Sequence, residues 1–191
     1  MSVSDRPESW PVHDVEHIWK GDAPFSVRRD VVSAPDRPDV RFGRLVLEHP
    51  GAAMVLAVDE QERVLVLHQY RHPASIRFAE LPAGLLDVVG EDPLAAAKRE
   101  LQEEGLVLAE HWTHLFTTYS SPGLSSEGIA FYLARGLSAA DDRGGFEPEH
   151  EEADMTLEWV PVDDLLAGIQ EGRITNGPTV QALLAYALFH R

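Results

Sequence analysis

Short apolar runs divided by Gly, Pro and Asp residues dominate the first half of the chain. β-Branched residues alternate or cluster within these runs, a pattern typical of strands. Strands are therefore predicted at residues 13–19, 25–33, 40–48, 53–58 and 63–69. The last two runs are apolar enough to be buried on both faces, and the polar residues 59–62 between them predict a hairpin.

A different spacing follows in the middle of the chain. Apolar residues from Leu94 to Leu101 recur at helical spacing and predict a helix over 93–104 with a buried stripe. Asp92 suits the N-cap of this helix, and Gly105 can end it. Further strands are predicted at residues 112–118, 129–135 and 155–160, with closing helices at 162–171 and 179–190. The whole pattern predicts a mixed α/β domain with helices packed on a sheet.

The acidic composition restricts the classes of molecule that this domain is expected to bind. The 191 residues include 32 Asp and Glu against 16 Lys and Arg, which gives a formal net charge of −16. We expect so acidic a protein to bind neither nucleic acid nor an anionic membrane, and an anionic substrate needs placed arginines or a bound cation. The sequence has no cysteine, no long apolar run and no signal-peptide pattern, so we expect a cytoplasmic protein without a membrane helix.

Three carboxylates crowd one face of the predicted helix. Glu100 lies three residues before Glu103 and four before Glu104, and both spacings place side chains on a common face. Such like charges oppose helix formation by about 0.2–0.5 kcal/mol per exposed pair. A solvated acidic surface is one interpretation, and a divalent cation held by oxygen ligands is the other. The upstream turn Glu80–Gly84 and the glycine-containing loop after it favour a cradle for a metal and a diphosphate.

This loop and helix resemble the Nudix box, Gly-x5-Glu-x7-Arg-Glu-aliphatic-x-Glu-Glu-x-Gly-aliphatic. Glu91, seven further residues and then Arg99–Glu104 match every fixed position in that part of the pattern. Six residues instead of five separate Gly84 from Glu91, and Gly105-Leu106 follows the helix where the pattern has x-Gly. Neither departure removes a carboxylate. The resemblance implies a Nudix-type α/β/α sandwich with a mixed sheet, preceded by N-terminal antiparallel strands.

Other motifs resemble one branch of this family, the ADP-ribose pyrophosphatases. They are Gln69-Tyr70-Arg71, Glu80–Gly84, and Ser121-Pro122-Gly123 followed by Glu127. The resemblance implies hydrolysis of the diphosphate bond of ADP-ribose to AMP and ribose 5-phosphate. Its motifs are less specific for the substrate than for the family, so a pyrophosphatase for other sugar nucleotides is the alternative. A non-catalytic module that senses ADP-ribose is a second one, against which the retained box residues argue.

The resemblance also implies the metal ligands. Glu100 and Glu104 would bind Mg²⁺, or alternatively Mn²⁺, together with the main-chain carbonyl of Ala83. Glu103 would join them through a second ion or a bound water. Because a divalent cation neutralises the charge that develops on a diphosphate, the metal would supply much of the catalysis.

Two arginines and several smaller residues complete the expected site. Arg99 would orient a carboxylate, with Glu91 as its partner, and a surface ion pair is the other interpretation. Arg71 suits a bidentate contact with the diphosphate, or equally a salt bridge to a nearby glutamate. Leu85 is expected to touch the substrate. The terminal-ribose side is expected to be lined by Ser121, Pro122, Gly123 and Glu127.

In this branch of the family the general base comes from a loop far along the chain. The matching loop here comprises residues 149–154, directly before the strand predicted at 155–160. The resemblance implies Glu152 as the base and Glu151 as the alternative, although acidic loops are often only solvated. A loop suits a base that must arrive together with the substrate.

The N-terminal strands are expected to form a separate extension. We divide the chain into an extension at residues 1–48 and a Nudix domain at 49–191. In the family, the N-terminal strands cross to the partner subunit of a homodimer and help bind the base. The resemblance therefore implies a homodimer in which Arg44 and Glu48 act across the interface.

Overall fold

The computed structural model of the chain describes residues 3–88, 90–147 and 153–191. They belong to two compact units. The first comprises the described parts of Met1–Pro50 and Ser121–Glu127. The second comprises the described parts of Gly51–Ser120 and Gly128–Arg191.

A three-stranded antiparallel sheet forms the first unit. Its strands, in spatial order, are β1 (Val12–Lys20), β2 (Ser26–Ala34) and β3 (Arg37–Glu48). All nine residues of β1 are exposed. The later segment joins this unit at Leu47, whose backbone N–H donates to the carbonyl of Leu124 at 2.9 Å and whose carbonyl accepts from the N–H of Ser126 at 3.1 Å.

Two sheets and three helices form the second unit. The strands are β4 (Ala52–Ala57), β5 (Arg63–Arg71), β6 (Ile76–Glu80), β7 (Ala83–Leu85), β8 (Val107–Tyr119), β9 (Gly128–Ala139) and β10 (Thr156–Pro161). The helices are α1 (Pro93–Gly105), α2 (Val162–Gln170) and α3 (Gly177–Phe189). One sheet is mixed, with the order β7-β4-β9-β8 and a parallel β4–β9 pair, and the other has the order β10-β5-β6.

Alternating side chains of the central strands divide the apolar interior into two cores. On β4, Met54 and Leu56 face a core that includes residues of α2 and α3, such as Leu165 and Leu183. Ala53 and Val55 of the same strand face a second core, which includes Leu101 of α1. Since successive strand residues point to opposite faces, this alternation gives the three α/β/α layers that the sequence predicted.

One expectation about the strands was wrong. The turn after Val58 does form, because the carboxylate of Asp59 accepts backbone N–H groups of Gln61 and Arg63. The flanking strands nevertheless share only a single bridge, Val58 to Val64, rather than a hairpin ladder. β4 pairs with β7 and β9, whereas β5 pairs with β6 and β10. Strands buried on both faces can pair with other partners, and these two enter different sheets.

The end of α1 also differs from expectation. Asp92 is the N-cap and accepts the N–H of Leu94, as predicted. Gly105, however, is the last helical residue, and the left-handed cap position belongs to Leu106 with φ of 55°. Leu106 therefore has the backbone conformation that glycine ordinarily supplies at a helix end.

Candidate active site

Helix α1 sets the orientation of the acidic cluster. Its apolar residues Ala96, Ala97 and Leu101 are fully buried in the second core, which fixes the rotation of the helix. Two of the carboxylates then also lie inside the protein, since Glu100 is 8% exposed and Glu104 is 7% exposed. Burial argues against a solvated acidic surface, because an ionised carboxylate loses its hydration there and needs compensating partners.

Gly84 makes room for Glu100. A β-carbon at Gly84 would lie 1.8 Å from Oε1 and 2.0 Å from Cδ of Glu100. The missing side chain therefore admits the carboxylate against the backbone of β7, a close approach for which glycine is needed. This is a structural reason for the glycine at the start of the box.

Glu104 is attached to the neighbouring turn. Its Oε2 accepts the backbone N–H of Ala83 at 2.9 Å. The preceding residue is fixed from the other side, because the carbonyl of Pro82 accepts the N–H of Val55 at 2.8 Å. The carboxylates of Glu100 and Glu104 thus meet consecutive residues of one short backbone segment, Ala83–Gly84.

Arg99 forms ion pairs with three carboxylates of the box. Its Nη1 lies 2.6 Å from Oε1 of Glu100 and 2.8 Å from Oε2 of Glu103, and its Nε lies 3.4 Å from Oε1 of Glu91. Burial alone lowers the pKa of Arg99, but the hydrogen bond to Glu91 and the charges of Glu100 and Glu103 outweigh it and raise the pKa. Glu91 is thus one of the partners of Arg99, and the orienting role of Arg99 stays a prediction.

An arginine that the sequence did not suggest caps this helix. Arg143 donates from Nη1 to the main-chain carbonyls of Glu103 and Glu104, the latter at 3.3 Å. A cation at a helix C-terminus compensates the partial negative charge of the unpaired carbonyls. The contact spans about 40 residues of sequence, and no local pattern marks it.

Arg71 lies in a second ionic group. It makes a forked contact with Glu80, from Nη2 to Oε2 at 2.7 Å and from Nε to both carboxylate oxygens at 3.1 Å. Asn176 donates from Nδ2 to Oε1 of Glu80 at 3.1 Å. The side chain of Glu80 is 5% exposed, whereas that of Arg71 is 49% exposed. The sequence prediction left open a salt bridge for Arg71, and this bridge exists; Asn176 was missed.

Comparison with known proteins decides the family of this site. Residues 48–183 match the family model of the NUDIX domain. The chain belongs to the Nudix family. The ADP-ribose pyrophosphatase of Mycobacterium tuberculosis is 41% identical over 161 residues, which cover 84% of this chain and 75% of that protein. The GDP-mannose pyrophosphatase of Yersinia pestis is 33% identical over 146 residues, 73% of this chain and 71% of that protein.

A solved structure supports the fold of this Nudix chain. The crystal structure of an ADP compounds hydrolase matches it with a TM-score of 0.77 at 19% identity, covering 97% of this chain and 96% of that one. The predicted family, fold class and hydrolase class are thus confirmed. Within the described ranges, no helix has both the length and the apolar character that crossing a membrane requires.

Nudix hydrolases generally use a divalent metal, and the residues of this box suit one. Four carboxylates and one guanidinium, those of Glu91, Glu100, Glu103, Glu104 and Arg99, give three formal negative charges in excess. Oε2 of Glu91 is buried and accepts no hydrogen bond from the described residues. Oxygen donors with excess negative charge are the ligand set of hard cations such as Mg²⁺.

The carboxylates are not gathered around one point. Among the described residues, no group of three or more His, Asp or Glu has the spacing of a metal site as it stands. Arg99 holds Glu91, Glu100 and Glu103, while Glu104 faces the Ala83 turn. The predicted ligand roles of Ala83, Glu100, Glu103 and Glu104 stay predictions.

The remaining residues predicted to contact the substrate lie mostly in the first unit. Glu48 accepts from the Ser26 hydroxyl at 2.8 Å and pairs with Arg28. Glu127 lies 3.7 Å from Nε2 of His49. The guanidinium of Arg44 lies 4.3 Å from the ring centroid of Phe42.

The other predicted positions are distributed as follows. Ser121, Pro122 and Gly123 are exposed in a turn of the first unit, and Leu85 ends β7 of the second. Glu151 and Glu152, the candidate bases, lie outside the described residues.

Proposed function

We propose that this Nudix hydrolase cleaves the diphosphate bond of ADP-ribose in the presence of Mg²⁺, giving AMP and ribose 5-phosphate. The observation that carries the proposal is the burial of Glu100 and Glu104 against the Ala83–Gly84 segment. The relative that is 41% identical and named ADP-ribose pyrophosphatase supports this substrate.

The chain's own residues divide the work. Glu100 and Glu104, with the carbonyl of Ala83, would hold the metal, and Glu103 would assist. Arg99 keeps Glu100 and Glu103 oriented through contacts of 2.6 and 2.8 Å. When bound, the divalent ion neutralises the charge of the diphosphate and stabilises the leaving phosphate. Arg71 binds diphosphate oxygens, because it is a guanidinium with half of its side chain exposed in an acidic protein.

The proton of the attacking water requires a base. Glu152, or else Glu151, accepts it, as the family resemblance implies. Ser121, Pro122, Gly123, Glu127 and Leu85 contact the ribose side of the substrate. These assignments extend the proposal and are tested by the same product assay applied to single substitutions.

The protein acts as a homodimer in this proposal. The support is β1, in which Val12, Val15, Ile18 and Trp19 are each 44–54% exposed on a strand with no buried residue. A strand edge with exposed apolar side chains is a site for pairing with another chain. Arg44 and Glu48 then contribute to the site of the partner. Light scattering on a size-exclusion column measures the mass; 21.2 kDa would refute the dimer and twice that mass is expected.

Product analysis separates the proposed substrate from its rival. The rival is another sugar nucleotide, and the relative named GDP-mannose pyrophosphatase supports it. Purified protein with Mg²⁺ is incubated with ADP-ribose, GDP-mannose, NADH and 8-oxo-dGTP, and the products are resolved by chromatography. Equimolar AMP and ribose 5-phosphate, at the highest kcat/KM of the panel, are expected. Preferred cleavage of GDP-mannose would favour the rival, cleavage of 8-oxo-dGTP alone would refute the proposal, and ADP-ribose binding without AMP would indicate a sensor.

A further inference from the structure

Asn176 makes two contacts that link the start of helix α3 to Glu80, the carboxylate that holds Arg71. Its Oδ1 accepts both the backbone N–H and the hydroxyl of Thr179, each at 3.0 Å, so it is the N-cap of α3. Its Nδ2 donates to Oε1 of Glu80 at 3.1 Å. Because Oδ1 is committed to the helix, the amide has one orientation, with its NH₂ group towards Glu80.

Glu80 transmits this orientation to Arg71. The carboxylate is 5% exposed and holds the guanidinium of Arg71 by a forked contact with distances of 2.7–3.1 Å. A buried carboxylate with donors on both sides has little freedom to turn. Arg71 keeps 49% of its side chain exposed, and the forked contact with Glu80 holds the inner side of its guanidinium.

Glu80 is also close in sequence to the Ala83–Gly84 segment, which contacts Glu100 and Glu104. Glu80 is the last residue of β6, and Ala83, three residues later, donates its N–H to Glu104. A displaced Glu80 would move the arginine and disturb the start of this segment.

We propose that Asn176 is a positioning residue, which acts through Glu80 to aim Arg71 at the diphosphate of the substrate. The inference rests on the proposed function to the extent that Arg71 binds that diphosphate. Asn176 itself touches neither substrate nor metal. A residue of purely structural importance would instead affect folding and turnover without any dependence on Arg71.

Asn176→Ser is the informative substitution. Serine is as good an N-cap as asparagine, so α3 keeps its start, but its hydroxyl is too short to serve Thr179 and reach Glu80 together. Gln181→Ala is the matched control, since Gln181 lies on the same helix and accepts a hydrogen bond from Thr118 at 2.8 Å, away from Glu80. Thermal unfolding verifies that each variant is folded at the assay temperature.

Calorimetric titration with ADP, a nucleoside diphosphate without the terminal ribose, supplies a measurement independent of hydrolysis. Asn176→Ser is expected to raise the Kd for ADP about tenfold, the effect of one lost hydrogen bond to a charged group. In an Arg71→Ala background the same substitution should change this Kd by no more than about twofold. In the ADP-ribose assay it should raise KM more than it lowers kcat. Gln181→Ala should change neither.

The outcomes distinguish the two levels of the proposal. An equal loss in both backgrounds, or no loss in either, overturns the positioning role. Wild-type protein that binds ADP with this coupling but leaves ADP-ribose intact refutes the proposed substrate while supporting the role of Asn176. Wild-type protein with no measurable ADP binding overturns the role of Asn176, whereas the product assay decides the substrate separately.

Discussion

The three glutamates of α1 have different surroundings, although all lie on one helix and Arg99 pairs with two of them. Glu100 is over Gly84, Glu104 accepts from Ala83, and Glu103 pairs with Arg99. The repulsion between them is therefore compensated unequally. Arg99 pairs with Glu100 and Glu103, whereas Glu104 accepts a backbone N–H. A divalent cation is the ligand that would satisfy the charge that Arg99 alone leaves over.

A methyl group at Gly84 tests the close approach of Glu100. Gly84→Ala would place its β-carbon 1.8 Å from Oε1 of Glu100, so the carboxylate must move. We expect kcat to fall by about 10–100-fold, the range typical of a displaced metal ligand environment, in a steady-state assay with Mg²⁺. Gly128→Ala is the control, because its β-carbon would meet only a ring carbon of Tyr119 at 3.8 Å. Equal activity of the two variants would show that Glu100 need not occupy this place.

The sequence predicted the residues of the box but not their long-range partners. Asp92, Arg99 and the glutamates stand in a local pattern that has a fixed spacing, which the helix converts into a shared face. Asn176 lies 96 residues from Glu80, and only the folded chain brings them together.

At the scale of elements, helix α1 carries strain at its end. The family pattern has glycine where this chain has Leu106, and the backbone there keeps the left-handed conformation with φ of 55°. In this conformation the backbone N–H of Leu106 donates to carbonyls of the last turn, those of Gln102 and Leu101. A residue with a β-carbon then bears an energetic cost that glycine avoids.

Substitution at Leu106 measures that cost. Leu106→Gly should be more stable than Leu106→Ala by about 1 kcal/mol, because both remove the leucine side chain and only glycine removes the left-handed strain. Urea unfolding followed by circular dichroism gives the two free energies of unfolding. Equal stability of the pair would mean that the cap residue relaxes without cost.

Helix α3 is tied to the β4–β5 turn by Tyr186. Its hydroxyl donates to Oε2 of Glu62 at 2.5 Å and accepts from Arg135. Burial, followed by the hydrogen bond to Glu62, raises the pKa of Tyr186 to about 12 from the ordinary 10.0. The turn and α3 therefore share a polar contact inside the first core, which the apolar pattern of α3 did not predict.

This contact has a defined dependence on pH. A group with a raised folded-state pKa contributes its full stability below its unfolded pKa and loses it as the pH rises through the folded value. The free energy of unfolding of the wild-type protein should exceed that of Tyr186→Phe by about 1–3 kcal/mol at neutral pH. This difference should shrink between pH 10 and pH 12, as Tyr186 ionises. Urea unfolding at several pH values measures it, and a difference that stays constant above pH 10 would contradict the assignment.

Strand pairing shows where local patterns stop being informative. The runs that became β4 and β5 were correctly predicted as buried strands, and the turn between them forms. One partner of each lies far along the chain, β9 for β4 and β10 for β5, so the choice between a hairpin and two sheets depends on contacts that neither run contains.

The net negative charge of the whole chain opposes the approach of an anionic substrate. A net charge of −16 repels an anionic nucleotide at long range, whereas Arg71 and a bound metal would attract it only nearby. Salt screens the long-range term more strongly than the short contacts, because the Debye length is about 10 Å at 0.1 M. The acidic composition should therefore slow the approach of substrate and leave its final position unchanged.

Ionic strength tests this balance. At constant free Mg²⁺, kcat/KM for ADP-ribose should rise as KCl increases from about 0.01 to 0.1 M, where the Debye length shortens from about 30 to 10 Å. Glu60→Gln, a substitution of an exposed turn residue, should reduce the slope slightly without changing kcat. A kcat/KM that falls with salt would show that attraction by local cations governs the encounter.

Titration of the protein with Mn²⁺, followed by electron paramagnetic resonance, measures metal binding by the glutamates of the box. Glu104→Gln keeps the size of the side chain and an oxygen for the Ala83 N–H, but removes the negative charge. Wild-type protein should bind Mn²⁺ in competition with Mg²⁺, whereas Glu104→Gln should bind it about 10–100-fold more weakly. Turnover should collapse with the fold retained. Equal Mn²⁺ affinity and stoichiometry in the two proteins would show that Glu104 does not bind the metal.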